Sequence, residues 1–356
     1  MAEKLRLLLF NLATDTEDSL LGFTTQWINA LAPHCEYIDV ITTQAGKLEL
    51  ADNVRVYSTG REHGYSRARR VFIFYGLLAR LLMTRRYDAC FAHMNQIFAL
   101  LAAPLLTLRG IRQTLWYTHR STGRGLRWAL RFSYRAVTAV ESSFPIPSPK
   151  VRVLGHGVDT KYFNLPMQRP ALEKPMIVHV ARIMPIKHQE TLIRALPGLE
   201  ADAIFVGGVP DGHSTAYRDE LIALADKLGV AENVHFVGDQ NRASVRAYYQ
   251  GTTVAVNLSP VGLFDKAPLE AMACGIPTIV TNPAFEPVLG EYKALLTIPS
   301  TDAHEALHER LKTLLALSPE ERENIGWNLR KGVLQYHSLH QLARRLVHVL
   351  KTGELP

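Results

Sequence analysis

Ser259-Pro-Val-Gly-Leu-Phe-Asp-Lys-Ala-Pro-Leu-Glu-Ala-Met-Ala-Cys-Gly-Ile-Pro277 lies between two short apolar runs, Val254–Asn257 and Thr278–Thr281. Each run has the length and character of a strand buried on both faces. Pro268 suits the first turn of a helix, because its missing N–H would have no intrahelical partner there. The stretch therefore reads strand, loop, helix, strand, which is one step of a parallel βαβ array. The same alternation extends outward. Downstream, Leu295–Ile298 reads as a further strand. Upstream, strands are expected at Met176–Ala181, Ala203–Val206 and Val234–Phe236, with helices at Gln189–Leu196, Ala216–Leu228 and, beyond the array, Ala303–Leu317. A second set occupies Arg6–Asn11, Ile38–Thr42, Val54–Ser58, Ala89–His93, Thr114–Thr118 and Ala136–Ala139.

Between the sets, Gly155 to Pro175 contains Pro166, Pro170 and Pro175 and has no regular periodicity, so it reads as a linker. The expectation is an α/β protein of two doubly wound domains facing across a cleft. Its ligands would sit beyond the C-terminal ends of the strands. The first domain would span residues 1–157 and the second 158–337. The final segment has Leu339, Leu342, Leu346, Val349 and Leu350 on one helical face and would dock, from about residue 338 to 356, on the first domain.

A length of 356 residues suits two such domains. Forty Lys+Arg stand against 33 Asp+Glu, a net charge of +7. The excess is local: residues 1–160 carry about +8 and residues 161–356 about −1. Three cysteines (Cys35, Cys90, Cys274) with no CxxC spacing exclude a disulfide scaffold and suit a reducing, cytoplasmic compartment. Leu7–Phe10 follows Lys4 and Arg6 but is too short for a secretory leader and reads as the first strand. Ile97–Leu106, the most apolar stretch, is about half the length a bilayer span requires.

Two loops carry the chemistry. In Val178-His-Val-Ala-Arg-Ile-Met-Pro-Ile-Lys-His188, Arg182 and Lys187 lie between a strand and a helix, where helix N-termini favour anions. A guanidinium can grip a phosphate through two parallel bonds, and an ammonium adds a compact charge. Two solvated surface cations are the plainer alternative. In the opening stretch, the amides of Ala267 and Leu269 would face a ligand, and Glu270 could accept hydrogen bonds from a ribose diol or simply complement the helix dipole.

Arg182…Lys187, Val206-Gly-Gly-Val-Pro210, Phe236-Val-Gly238 and Pro268-Leu-Glu-Ala-Met-Ala-Cys-Gly275 together resemble glycosyltransferase family 4, retaining enzymes of the GT-B fold. His156-Gly-Val-Asp159 resembles that family's element at the domain junction. The resemblance is strongest over residues 151–282; in the first half it rests on Leu21-Gly-Phe23 and Thr118-His119. It implies a nucleotide-sugar donor, a glycan, lipid-linked or small-molecule acceptor, and no metal or other cofactor. On the resemblance, Arg182 and Lys187 would hold the donor diphosphate and Glu270 the ribose. Gly207, Phe264, Lys266, Ala267, Pro268 and Leu269 would lie around the phosphates, and Phe236, Val237 and Gly238 would line the base. Gly22 and Phe23 would face the phosphates from the other domain, and His119 would touch the transferred sugar.

The chemistry agrees with these roles. An oxocarbenium-like transition state develops negative charge on the departing phosphate, which cations and helix amides can stabilise without a metal. The chain has no Asp-x-Asp motif. One departure stands out. The family places a glutamate eight positions before Glu270, where this chain has Gly262, while Asp265 stands at a usual glycine. Asp265 could replace the missing carboxylate as a catalytic group, or pair with Lys266. His188 likewise follows Lys187 where glycine is usual. Other GT-B activities, a sugar-phosphate synthase or nucleotide-sugar epimerase, and a non-catalytic nucleotide-sugar-binding protein remain alternatives.

The basic excess concentrates in Tyr65–Arg86, with six arginines, and in Arg120–Arg135, where Arg124, Arg127, Arg131 and Arg135 recur at helical spacing beside Trp128 and Phe132. Such helices suit an anionic membrane surface, giving a protein peripheral on the inner face. A solvated arginine face is the alternative; no nucleic-acid recognition motif accompanies them. His337 and His340 read as surface residues, and His93, ending a strand, as a cap or acceptor-side group.

Overall fold

The computed structural model describes residues 4–18, 21–119, 121–168, 170 and 173–356. The chain divides into two compact units, Met1–Gly157 with Leu339–Pro356, and Val158–Ser338.

The first unit contains β1 (Leu5–Thr14), β2 (Cys35–Ala45), β3 (Val54–Ser58), β4 (Ala89–His93), β5 (Arg112–Trp116), β6 (Arg135–Thr138) and β7 (Val151–Val153). They form one sheet in the order β3-β2-β1-β4-β5-β6-β7, with every pairing parallel. The second unit contains β8 (Met176–Val180), β9 (Asp202–Val206), β10 (Val234–Gly238), β11 (Val254–Asn257) and β12 (Thr278–Val280), ordered β10-β9-β8-β11-β12 and again parallel. Both are Rossmann-like sheets in which the chain winds outward first to one side and then to the other. The direction reverses between β1 and β4, and between β8 and β11. Central strands are apolar because helices cover both faces: in β1, Leu7, Leu8, Leu9 and Phe10 are all buried.

In the first unit, the helices Arg67–Thr84, Gln96–Leu108 and Arg124–Phe132 contribute to one hydrophobic core, where Phe74 stacks on Phe98 at 4.3 Å and meets Phe10 edge-on at 5.5 Å. The Tyr75 hydroxyl donates to the Leu101 carbonyl, joining two of these helices. The outer surface of Arg67–Thr84 and Arg124–Phe132 is basic and aromatic. Phe72 is 78% exposed and Trp128 54%, the latter stacked on exposed Phe132, with Arg69, Arg80, Arg124, Arg127 and Arg131 exposed on the same helices. Arg135 leaves this stripe: it belongs to β6 and pairs with Glu354 at 2.6 Å. Arg120 lies outside the described residues. The last helix, Leu339–Thr352, buries Leu342, Leu346, Val349 and Leu350 in the first unit, beside the helix Phe23–Leu31.

Several local expectations are corrected. Leu295–Ile298 is no strand; Lys293–Leu296 is a helical turn and Thr297 only bridges to Val280. Its apolar pairs fit a buried turn as well as a strand, since short runs do not separate the two. The strand expected over Thr114–Thr118 ends at Trp116. The early part of the expected linker is packed: Phe163 is buried, and Arg330 donates to the carbonyls of Thr160 and Phe163. His337 is also buried, against Phe264, whereas His340 is exposed. All three cysteines are buried thiols.

Candidate functional site

The reversal between β8 and β11 leaves a crevice at the carboxyl ends of the strands, and doubly wound sheets bind ligands there. Two loops enter it. The loop after β8 continues pairing with its neighbour: the Ala181 amide donates to Val206 O at 3.0 Å and Ile183 to Gly208 O at 2.9 Å. This close approach needs Gly207, whose φ is +135°; a Cβ there would lie 2.3 Å from the Ala181 carbonyl oxygen. Gln189 donates to the Arg182 carbonyl at 2.9 Å, fixing the backbone while the guanidinium stays exposed. A single turn, Pro185–Lys187, then presents Lys187, which is buried. His188 follows at φ +51°. A left-handed conformation costs a side-chain-bearing residue roughly 1 kcal/mol, which explains why glycine would suit this position. His188 Nδ1 lies 3.4 Å from one Glu190 carboxylate oxygen, and the other accepts a bond from the Tyr217 hydroxyl.

The loop after β11 supplies the counter-charge. Lys187 Nζ lies 2.5 Å from Asp265 Oδ2 and 3.1 Å from Ser259 Oγ. The Ser259 hydroxyl donates to the same carboxylate oxygen, and Asn257 Nδ2 adds a donor at 3.3 Å. Asp265 therefore pairs with Lys187. Beneath them, His179 on β8 is buried; desolvation, assisted by the Lys187 charge, pushes its imidazole down to about 4 and keeps it neutral.

The helix Ala267–Ala273 begins at the far side of this loop, with its first turn held by the Tyr249 hydroxyl on the Ala267 carbonyl at 2.9 Å. Pro268 and Leu269 face the interior, so only their backbone can reach a ligand. Lys266 and Glu270 sit together at the helix start. Burial draws each toward its neutral form, against their mutual attraction, and Arg242 favours the charged carboxylate while opposing the ammonium. Arg242 is itself set by Asp159, 3.2 Å away, and by the Tyr162 ring at 4.0 Å. Phe264 departs from its expected donor-facing place. It is buried, stacked on Phe285 at 4.4 Å and close to His337, and its side chain serves the core. Phe236 stacks on Phe205 at 5.0 Å, and Val237 and Gly238 complete β10.

The structure adds Asn257, Ser259, Arg242 and His179 to the site. For the first two a signal existed: Asn257 and Ser259 alternate at the end of a strand, so both side chains leave on one side. Arg242 carried none, because its partner Asp159 lies 83 residues away.

The first unit has its own reversal, between β1 and β4, lined by amide, hydroxyl and imidazole side chains. Asn11 donates to Ala13 O at 2.5 Å, Thr14 Oγ1 at 3.1 Å and Thr24 Oγ1 at 3.0 Å, and its oxygen lies 3.4 Å from His93 Nδ1. Asn95 donates to the Asn11 carbonyl and caps the following helix at the Phe98 amide. His93 is packed among Trp27, Phe23 and Trp116. Gly22 caps the helix bearing Phe23, and a Cβ there would meet the Asp18 carbonyl at 2.7 Å. His119 is exposed in the loop beyond β5, its Nδ1 accepting from the Ser121 amide at 3.2 Å. Among the described residues, no group of three or more His, Cys, Asp and Glu side chains could hold a metal ion.

Residues 165–332 match the family model described as Glycosyl transferases group 1. A D-inositol 3-phosphate glycosyltransferase of Mycobacterium sp. (strain KMS) is 31% identical over 147 residues, covering 39% of this chain and 33% of that protein. The chain thus aligns with about a third of the length of such relatives. Its fold is that of HepE from Anabaena, solved with UDP and glucose, at a TM-score of 0.73 and 16% identity over 98% of this chain and 100% of that one. Sucrose-phosphate synthase from Thermosynechococcus elongatus matches at 0.75 and 16%, over 98% and 99%. Two Rossmann-like units of this kind are the architecture of GT-B glycosyltransferases.

Proposed function

We propose that this protein, whose residues 165–332 match the group 1 glycosyl transferase model, transfers a sugar from a nucleotide sugar to a lipid-linked or membrane-proximal acceptor, with retention and without a metal. The observation that carries the donor half is the meeting of the two loops at the β8/β11 reversal, with Arg182, Lys187 and the helix start at Ala267 around one crevice. UDP and glucose bound to the structurally similar HepE support a nucleotide-sugar donor.

In this reading Arg182 and Lys187 hold the diphosphate, and Glu270 accepts the ribose hydroxyls. As the bond from the sugar's anomeric carbon to phosphate breaks, the acceptor oxygen bonds to that carbon on the same face. Its proton passes to the leaving phosphate. Negative charge grows on the phosphate as this happens, and fixed cations stabilise that transition state more than the ground state. His119, Gly22 and Phe23 are assigned to the sugar and acceptor side.

The acceptor half rests on the exposed aromatic and arginine surface of the helices Arg67–Thr84 and Arg124–Phe132. Arginines drawn to anionic headgroups and aromatic rings at the interface are the two components of peripheral membrane binding. No helix among the described residues is long and apolar enough to cross a membrane.

Thermal unfolding with UDP, GDP, ADP and their sugars tests the donor: one nucleotide series should raise Tm, and its sugar should be consumed in a transfer assay. Stabilisation without turnover would identify a binding protein instead. Flotation with phosphatidylglycerol vesicles tests the surface. Wild type should float and Arg124→Glu/Arg127→Glu/Arg131→Glu should not; equal, negligible flotation of both overturns membrane docking.

A further inference from the structure

Asp265 stands where a phosphate oxygen would be expected. Its Oδ2 receives the Lys187 ammonium at 2.5 Å, the Asn257 amide at 3.3 Å and the Ser259 hydroxyl. The Lys187 side chain is only 11% exposed and rises from a tight turn, so its charge is held in place, whereas the Asp265 carboxylate is 26% exposed and open to solvent. It follows Gly262, at φ +87°, in a loop that runs straight into the helix at Ala267. Any anion that approaches Lys187 must share or displace this carboxylate.

We infer that Asp265 is a specificity-determining anion of the donor site, which disfavours the nucleoside diphosphate product relative to the intact nucleotide sugar. This rests on the donor site proposed above. The diphosphate of a nucleotide sugar is esterified at both ends and carries two negative charges. Transfer replaces the sugar ester by a terminal phosphate, whose second proton leaves with a pKa of about 6. At neutral pH the product therefore carries about one more charge than the substrate, and that charge appears on the phosphate nearest the bond broken. A fixed carboxylate beside the same ammonium repels the product more than the substrate, and in a half-buried crevice the difference is weakly screened. Without a carboxylate at 265, Lys187 would grip the product unopposed. Asp265 thus works through Lys187 and speeds release, a step that limits many enzymes.

Calorimetric titration of wild type, Asp265→Asn, Asp265→Ser and Lys187→Ala with UDP and UDP-glucose, with GDP and GDP-mannose, and with ADP and ADP-glucose, tests this. Asp265→Asn and Asp265→Ser should each tighten the diphosphate at least tenfold and the matching nucleotide sugar less than threefold. Product inhibition of transfer should deepen in parallel. Equal tightening of both ligands, or weaker diphosphate binding, overturns the inference while leaving the donor site standing. Binding of none of the three nucleotide series to any of the four proteins overturns the donor site itself, and this inference with it.

Discussion

The two units repeat one topology and fill its critical point in opposite ways. At the β1/β4 reversal, Asn11, Asn95, His93 and Thr24 form a buried hydrogen-bonded network walled by Trp27 and Trp116. At the β8/β11 reversal, an ammonium and a carboxylate meet, with an exposed guanidinium on the same loop. The fold supplies a crevice in both cases, but the loops decide what it can hold. Neutral amides position backbone and suit an uncharged, hydroxylated ligand; a fixed cation suits a diphosphate. Charge is distributed inversely over the remaining surface, with the excess of the first unit on outward-facing arginines and not at its crevice.

That contrast can be broken by experiment. The largest effect concerns His179, buried beneath the charged crevice and neutral because its pKa falls from 6.5 to about 4. The unfolded chain takes up this proton near pH 6.5 and the folded chain only near 4. The stabilisation is therefore complete above pH 6.5 and drains away as pH falls, by about 2 kcal/mol at pH 5 and about 3 at pH 4. Urea unfolding at pH 7.5 and 5 should show this loss in wild type but not in His179→Asn; identical pH dependence refutes it. Next, Asn11→Ala should cost about 2 kcal/mol, since it strips hydrogen bonds from a buried network, yet leave nucleotide affinity unchanged. A large loss of nucleotide affinity would mean that the neutral crevice also holds the donor. Lys187→Ala and Glu270→Ala should each lower turnover at least tenfold, about 1.4 kcal/mol of transition-state stabilisation; unchanged turnover in both refutes the assignment. The smallest effect is that of Gly262→Ala, where φ is +87°, at about 1 kcal/mol of stability in chemical denaturation.

Much of this was legible beforehand because it is local. The strand Ala89–His93 announces itself by an apolar run buried on both faces, and Pro268 marks a helix start by what it cannot donate. Leu295–Ile298 misled because a four-residue apolar run fits a buried turn equally well. Phe264 misled because an aromatic beside a binding loop has two destinations, ligand or core, and only the positions of Phe285 and His337 choose between them.

The sequence by itself determined the alternation of strands and helices, the two sets of them, the loops that carry Arg182 and Lys187, and the basic bias of the first half, since each follows from periodicity or from charges counted along the chain. Tertiary structure alone decided the partner of Lys187. Asp265 is 78 residues away in the chain, nearer in number to Lys266, and reaches Lys187 only because the sheet reverses direction between β8 and β11 and brings their loops to one edge. A charge has a fixed place in the sequence, but its neighbour is set by the strand order, and an ion pair depends on distance in space.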